Sequence, residues 1–325
     1  MISAKVIADS KNEFGNRLTT MIVTMPRIIL AEFNTHRMFS RNSASSRAIP
    51  FNKMVESVIA NPFIPIAWQK DHKGMQGNEY FNEEDSKINV DRWLFARDRA
   101  VDSAISLNVR KVTKQLANRM IEPFMWHTVI ISATEFSNFF ELRCPKYSNR
   151  ENKTYRSWRD ITQDYLDLEQ DASILTRLSL NKGQAEIHMM ALAEAMWDAY
   201  NESTPKQLKA GEWHIPFGDD IKPETYEGYR DWSERAIKIA TARCAQVSYT
   251  VIGEEGKPLD YAKLIALHDR LAKSGHWSPF EHCAKVMPQY LLGEGSSEHS
   301  KWSGNFKGFI QYRKMFKNEN ITTNK

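Results

Sequence analysis

The chain opens with alternating polar and apolar residues. The stretch SAKVIADSKNEFGNRLTTMIVTM alternates on either side of a polar turn at residues 12–16, which predicts a hairpin of two strands. Pro26 then fits the first turn of a helix in which Ile29, Phe33 and Arg37 lie on roughly one face. This predicted helix leads into the polar segment THRMFSRNSASSR, residues 35–47.

Helical spacing dominates the middle of the chain. Proline and glycine punctuate residues 52–90, which indicates a long surface connection. Apolar residues then recur every three, four or seven positions and predict a long amphipathic helix that ends near Arg119. The run FMWHTVIISA predicts a strand, whereas TEFSNFFELRC and GQAEIHMMALAEAMWDAY predict helices. The polar residues 145–181 between these two helices indicate an insertion.

Proline, glycine and charged residues mark a boundary in the last third of the chain. We predict a core over residues 1–204, a linker over residues 205–230, and a C-terminal segment over residues 231–325 that completes the same domain. Within that segment, DWSERAIKIATARCAQVSYT and DYAKLIALHDRLAKSG predict helices, and HWSPFEHCAKVMP predicts a turn that leads into a strand.

Composition is typical of a globular protein. With 325 residues and 42% apolar content, the chain is long enough to bury a full core. Its 44 basic and 40 acidic residues nearly balance, which weakens the case for a dedicated nucleic-acid binder. The apolar runs are too short to span a bilayer and no signal peptide is evident, so we expect a cytoplasmic protein without membrane contact.

Cysteine spacing gives no sign of a disulfide framework or a metal site. The three cysteines are far apart and show no CxxC or Cys/His zinc pattern. Cys144, between Arg143 and Pro145, could be a nucleophile activated by a neighbouring cation, but a buried structural thiol is the commoner case. We therefore expect no metal.

Three polar clusters remain as candidates for chemistry. They span residues 36–47, residues 138–143 together with 184–186, and residues 276–282. The chain has no GxGxxG, GxxxxGK[ST] or GxSxG motif, so a Rossmann loop, a Walker loop and a nucleophile elbow are not indicated.

The first cluster resembles a family signature. HRMFSRNSASSR is similar to the HRxxSxNxxSxR core of the flavin-dependent thymidylate synthases. FFELRC ahead of GQAEIHMMALA, together with ARCAQVSY and GHWSPFEH, resembles further motifs of that family. In the usual family member the last two motifs precede the signature, whereas here they follow it. The resemblance therefore indicates a circularly permuted version similar to phage-borne members.

The resemblance implies both a fold and a reaction. It implies an α/β (α+β) fold with an antiparallel or mixed sheet packed with long helices, and a homotetramer with FAD at the subunit interfaces. The implied reaction is reductive methylation of dUMP, with methylenetetrahydrofolate as carbon donor and NADPH as reductant. Reduced flavin would deliver the hydride, and no enzyme cysteine would attack the base.

Substrate contacts follow from matching positions. Ser45, Ser46 and Arg47 resemble the family's dUMP ligands, and they supply the cation and hydroxyl donors that a phosphate needs. Arg119 resembles an arginine that reaches the same nucleotide. Arg143 would face the uracil and stabilise charge that develops on it, so Arg143 and Ser45 are the implied catalytic residues.

Flavin contacts are carried over in the same way, from three parts of the chain. The matching positions are His36, Arg37, Met38, Asn138, His276, Ser278 and Glu281. A structural alternative exists for some of them, since His276 and His282 could simply bracket a tight Ser-Pro turn and Asn138 could cap a helix.

Departures from the family pattern occur at three positions. Thr35 stands where the signature begins with arginine, Ser43 replaces a glutamate, and Glu32 replaces a common glutamine. The segment GFIQYRK near the end of the chain resembles AEFNTHR near the start. We therefore predict that Gln311 contributes to substrate binding and Arg313 to cofactor binding in place of the missing residues.

Two other functions compete with the methylating synthase. The first keeps the fold, FAD and dUMP but changes the product, for example to a 5-hydroxymethylated pyrimidine. The second is a non-catalytic nucleotide or nucleic-acid binder, in which residues 36–47 form a basic loop on phosphates and aromatic side chains stack on bases.

Overall fold

The computed structural model describes residues 1–43, 49–73, 77–148, 152–165, 167–221, 232–250, 260–291 and 304–319. The strands are β1 (Ser3–Asn12), β2 (Arg17–Pro26), β3 (Ser40–Ser43), β4 (Trp126–Ala133), β5 (Tyr147–Ser148), β6 (Thr154–Tyr155), β7 (Lys206–Leu208), β8 (Trp213–His214), β9 (Ala284–Val286) and β10 (Phe309–Gln311). The α-helices are α1 (Leu30–Phe33), α2 (Phe51–Ala60), α3 (Glu83–Val109), α4 (Lys114–Ala117), α5 (Ser137–Arg143), α6 (Trp158–Asp164), α7 (Ile174–Leu180), α8 (Ile187–Glu202), α9 (Trp232–Thr250) and α10 (Tyr261–Ser274). Short 3-10 helices span Arg27–Ile29, Asn118–Phe124, Gly218–Asp220, Ser278–Glu281, Gln289–Leu291 and Tyr312–Met315.

A five-stranded mixed sheet forms the centre of the fold. Its strand order is β3-β4-β2-β1-β7, in which β7 runs parallel to β1 and the other neighbours are antiparallel. The predicted hairpin is confirmed as β1 and β2, and the predicted strand in FMWHTVIISA is confirmed as β4. The expected mixed sheet packed with helices is therefore present.

Helices cover both faces of this sheet. Alternate residues of β2 and β4, such as Val23 and Ile131, pack with α5 and α8 on one face. Ile130 packs with Cys244 and Val247 of α9 on the other face. Seven of the eight residues of β4 are buried, which explains why this strand has almost no polar alternation in the sequence. Burial on both faces fixes β4 and thereby the strands hydrogen-bonded to it.

A second, three-stranded sheet joins the C-terminal segment to the core. Its order is β10-β9-β8, and all pairings are antiparallel. Strands β7 and β8 lie inside the interval 205–230 that the sequence predicts as a linker, so residues 206–208 and 213–214 instead belong to the two sheets. Residues 222–230 of that interval lie outside the described residues.

Several predicted boundaries differ from the structure. The helix expected after Pro26 ends at Phe33, so Arg37 lies beyond it. The long helix α3 ends at Val109 rather than near Arg119, because the backbone turns at Lys111, whose φ of 63° is left-handed. The surface connection predicted for residues 52–90 contains α2 and the start of α3, and the insertion at 145–181 contains β5, β6, α6 and α7.

A buried polar chain ties the two sheets together. Thr20 Oγ1 lies 2.6 Å from Ser132 Oγ and 2.8 Å from His214 Nε2. The chain continues from Ser132 Oγ to His282 Nδ1 over 2.9 Å, and from His214 Nδ1 to Ser10 Oγ over 2.8 Å. These contacts satisfy groups that burial would otherwise leave without a partner, at a cost of about 1–3 kcal/mol each.

Burial keeps His214 and His282, the two histidines of this hydrogen-bonded network, neutral. It lowers the pKa of His214 to about 4 and that of His282 to about 3, and the neighbouring His214 also lowers the pKa of His282. His282 Nε2 is buried and has no hydrogen-bond partner among the residues described above, so a proton placed there would not be stabilised.

The neutral histidines predict a loss of stability in acid. Unfolded histidine binds a proton near pH 6.5, but the folded protein does not protonate His214 or His282 until about pH 4 and about 3. Their contribution to the free energy of unfolding is therefore complete above pH 6.5 and is lost as the pH falls. The slope of the free energy of unfolding against pH approaches about 1.4 kcal/mol per pH unit for each histidine. Urea unfolding between pH 7 and pH 4.5 measures this slope.

A double variant isolates the effect from that of the carboxylates. His214→Gln with His282→Gln keeps a donor and an acceptor at each position but does not titrate, and it should make the slope smaller. His72→Gln, at an exposed histidine, is the matched control and should not change the slope. An unchanged slope in the double variant would contradict the assignment.

Candidate functional site

Three polar segments meet at the edge strand β3. Ser40 Oγ accepts a hydrogen bond from Gln311 Nε2 over 3.1 Å, across a separation of 271 residues. Asn42 Oδ1 accepts from Ser278 Oγ over 3.0 Å, and Asn42 Nδ2 donates to the carbonyl of Cys244 over 2.8 Å. The described part of the signature segment, the SPFE turn (Ser278–Glu281), the ARCAQVSY helix and the GFIQYRK segment are thus neighbours in space.

Gln311 is the centre of this junction. It is buried at the end of β10, and its Nε2 atom also lies 3.3 Å from the carbonyl of Glu281 and 3.3 Å from Asn305 Oδ1. Gly304 makes the close approach possible, because its φ is 63° and an added Cβ would lie 2.6 Å from Gln311 Oε1. A buried hydrogen bond therefore holds the C-terminal segment against β3.

Asn305 extends the junction to the residues before β3. Its Oδ1 accepts from Ser40 Oγ over 2.9 Å, and its Nδ2 donates to the carbonyl of Met38 over 2.8 Å. Sequence reasoning did not identify Asn305, because no pattern in the GNFKGF stretch sets it apart from an ordinary loop residue.

Charged side chains surround the SPFE turn. Arg313 Nη1 donates to Glu281 Oε1 over 2.5 Å, and Arg313 Nε donates to Glu319 Oε2 over 3.0 Å. Arg41 Nη1 donates to the carbonyl of His36 over 3.2 Å. Burial lowers the pKa of Arg41, and the Glu281 carboxylate opposes this shift. Two cations therefore flank the single carboxylate of Glu281.

His36 and Arg143 form a second group, at the ends of α1 and α5. Arg143 Nε donates to His36 Nε2 over 3.0 Å, and Arg143 Nη1 donates to Glu32 Oε1. Burial and then the charges of Arg143 and Arg41 lower the pKa of His36 to about 4. His36 is thus neutral at pH 7, and its ring proton is on Nδ1 because Nε2 accepts the bond from Arg143.

The other predicted flavin contacts reach the surface. Arg37, Met38, Asn138, His276 and Ser278 are exposed. Asn138 does not cap α5, whose first turn has no side-chain cap, so that alternative is wrong. His276 and His282 do bracket the 3-10 turn at residues 278–281, as the structural alternative proposed, and His276 Nδ1 lies 2.8 Å from Ser274 Oγ.

The predicted phosphate ligands lie outside the described residues. Ser45, Ser46 and Arg47 fall between Ser43, the last residue of β3, and Ile49. Arg119 is exposed on the 3-10 helix that follows α4, next to Asn118, whose Nδ2 donates to the carbonyl of Ile49 over 3.2 Å. Arg119 is therefore the sequence neighbour of Asn118, which contacts Ile49, the first described residue after Ser45, Ser46 and Arg47.

Glu186 and Cys144, which the sequence offered as candidate site residues, have structural roles instead. Glu186 caps α8 by accepting from the backbone N–H groups of His188 and Met189, both over 2.9 Å. Cys144 is buried, its Sγ lies 3.5 Å from the carbonyl of Ala193, and burial raises the pKa of its thiol. The possible role of Cys144 as a nucleophile is therefore wrong.

The described residues show neither a membrane span nor a metal cluster. None of their helices is both long and apolar enough to cross a bilayer. They also contain no group of three or more His, Cys, Asp or Glu arranged to hold a metal ion. A cavity of about 690 Å³ lies elsewhere, between β1 and the end of α8, and none of the candidate site residues lines it.

Comparisons with known proteins give a weak structural likeness. No family model matches the chain, and no curated protein matches it in sequence. The UMP/dUMP methylase PolB from Streptomyces cacaoi, solved with 5-Br dUMP, has a TM-score of 0.42 and 11% identity, over 62% of this chain and 91% of that one. The same methylase with 5-Br UMP gives a TM-score of 0.42 and 13% identity, over 62% and 90%. A likeness at this level does not by itself assign an activity.

The junction predicts a stability effect at Gln311. Gln311→Leu removes the donor to Ser40, Glu281 and Asn305 and should lower the free energy of unfolding by about 1–3 kcal/mol in urea titrations. Gln289→Leu makes the same change at an exposed glutamine and should have little effect. Equal stabilities of the two variants would show that the junction does not hold the C-terminal segment.

Proposed function

We propose that the protein is a flavin-dependent thymidylate synthase that converts dUMP to dTMP, with methylenetetrahydrofolate as carbon donor and NADPH as reductant. The main observation in support is the junction at β3, where four motif segments that are distant in sequence lie side by side. This arrangement supports the proposal because one nucleotide and one flavin need donors from several segments around a common site.

The exposed residues beside the junction fit an FAD molecule. Arg37 offers a cation for a phosphate, Met38 offers an apolar surface that is 42% exposed, and Ser278 offers a hydroxyl. When bound, FAD would supply the hydride that reduces the transferred carbon. His276 and Asn138, which also belong to the proposed set, are exposed. A homotetramer with shared FAD sites is part of the proposal.

The nucleotide would bind where β3 ends. Ser45, Ser46 and Arg47 are the proposed phosphate ligands, and Ser45 is a proposed catalytic residue. Arg143 would contact the pyrimidine, and the bonds to His36 and Glu32 fix its guanidinium in place. A held cation stabilises negative charge on the ring without first having to reorganise.

The cysteines support chemistry without a thiol nucleophile. All three are free and buried. Burial raises the pKa of Cys144 and Cys244, and it raises that of Cys283 to about 12. None of them is a thiolate at pH 7, so the chain has no group of this type to attack the base.

The overall reaction balances with the named substrates. The methylene carbon leaves methylenetetrahydrofolate and bonds to C5 of dUMP, which loses its C5 proton. NADPH provides the hydride that converts this carbon to a methyl group and becomes NADP⁺. One further proton from solvent completes tetrahydrofolate.

Anaerobic turnover tests the proposal. Purified protein should show a flavin absorption band, and dUMP incubated with methylenetetrahydrofolate and NADPH should gain the mass of one methyl group. A gain of one hydroxymethyl group would assign the alternative product. A colourless protein that leaves dUMP unchanged and binds DNA with a strong salt dependence would replace the proposal with a nucleic-acid binder.

Arg313 provides a test of the C-terminal contribution. Arg313→Ala removes the cation that pairs with Glu281 and Glu319, and it should weaken FAD and dUMP binding about tenfold or more in equilibrium titrations. Arg99→Ala, on the exposed side of α3, is the control and should bind both normally. If Arg313→Ala is folded by circular dichroism and binds both ligands normally, the predicted replacement by Arg313 is wrong.

A further inference from the structure

The ion pair of Glu32 and Arg143 has one acceptor atom and one donor atom that make no hydrogen bond to the described residues. Their side chains are 32% and 21% exposed, so the pair reaches solvent. Glu32 Oε1 and Arg143 Nη1 bind each other, and Arg143 Nε binds His36. Within the described part of the chain, neither Glu32 Oε2 nor Arg143 Nη2 makes a hydrogen bond. A ligand edge with a donor next to an acceptor matches this pair.

The pair is held in one orientation. Glu32 lies in α1, and its backbone carbonyl accepts a hydrogen bond from Thr35 Oγ1 over 2.7 Å. Arg143 is the last residue of α5. The His36 ring, which accepts its hydrogen bond, packs edge-on against the Phe139 ring with 4.8 Å between the ring centroids. Because both groups come from ordered helix ends, a ligand would meet them in a fixed geometry.

A carboxylate selects for donors more strictly than an amide does. A glutamine can rotate its amide to accept from a ring N–H or to donate to a carbonyl oxygen, whereas an ionised glutamate only accepts. Cytosine presents a 4-amino donor beside the N3 acceptor. Uracil presents the O4 acceptor at the first of these positions, where a carboxylate repels it.

We propose that Glu32 is a specificity-determining residue that extends the substrate range of this site to an aminopyrimidine nucleotide, dCMP. This inference rests on the proposed function, because it takes Arg143 as the contact to the pyrimidine. Glu32 Oε2 accepts from the 4-amino group, and Arg143 Nη2 donates to N3. Uracil binds the same pair only through its N3–H donor and a neighbouring carbonyl, in a shifted position.

The corresponding reaction also balances. The methylene carbon bonds to C5 of dCMP, which loses its C5 proton, and NADPH supplies the hydride that makes the methyl group. One further proton from solvent completes tetrahydrofolate. The products are 5-methyl-dCMP, tetrahydrofolate and NADP⁺. The amino group at C4 is unchanged, so no water enters the reaction.

Competition between the two nucleotides tests this specificity. With the FAD-loaded protein, the Kd values for dCMP and dUMP are measured by equilibrium titration for the wild type and for Glu32→Gln. The wild type should bind dCMP at least as tightly as dUMP, and Glu32→Gln should shift the ratio towards dUMP by about tenfold or more. Glu84→Gln, at an exposed glutamate of α3, should leave the ratio unchanged.

The remaining outcomes separate the two proposals. If the wild type binds dUMP but not dCMP, or if Glu32→Gln is folded and leaves the ratio unchanged, Glu32 does not determine specificity. If the wild type binds neither nucleotide, the proposed function itself fails. Mass analysis of dCMP after anaerobic turnover should show one added methyl group, and unchanged dCMP beside methylated dUMP would overturn the inference.

Discussion

The hydrogen bond from Gln311 to Ser40 is the contact on which the candidate site depends. It is buried, and the same amide nitrogen lies near the carbonyl of Glu281 and the side chain of Asn305. Without it, the segment that carries Arg313 would lose its direct hydrogen bond to β3. An interior that excludes water makes such a contact strong when complete and costly when broken. The site is therefore held by polar complementarity as well as by apolar packing.

The chain of hydroxyls and neutral histidines beneath this contact has a similar role. Ser132 on β4 faces Thr20 and His282, while Ser40 lies opposite Ser132 in the register of β3 and β4. The two sheets are joined by directional bonds as well as by packing, which limits how they can slide past each other. The SPFE turn begins four residues before His282, so its position follows from this chain.

Much of the architecture could be predicted from the sequence. The hairpin, β4, α5, α8, α9 and α10 follow from periodicity, because each buries a continuous face. The end of α3 could not be predicted, since the left-handed turn at Lys111 leaves no mark in composition. Strands β7 and β8 were also missed, because they are only three and two residues long, and pairing with distant strands decides their conformation.

The site was predicted unevenly for a physical reason. His36, Gln311 and Glu281, which the sequence motifs singled out, do lie close to β3. Partners such as Asn305 and the pairing of Glu32 with Arg143 depend on three-dimensional proximity across long separations. No local pattern encodes that proximity, so only the folded chain reveals it.

The separation of 271 residues between Ser40 and Gln311 also has a consequence for biosynthesis. A ribosome adds residues at about 5–20 per second, so at least about ten seconds pass between synthesis of the two partners. During that interval β3 and the polar face of Ser132 are without their C-terminal cover. Contacts of such high sequence separation form late and slowly, so closure of this junction belongs to the last stage of folding.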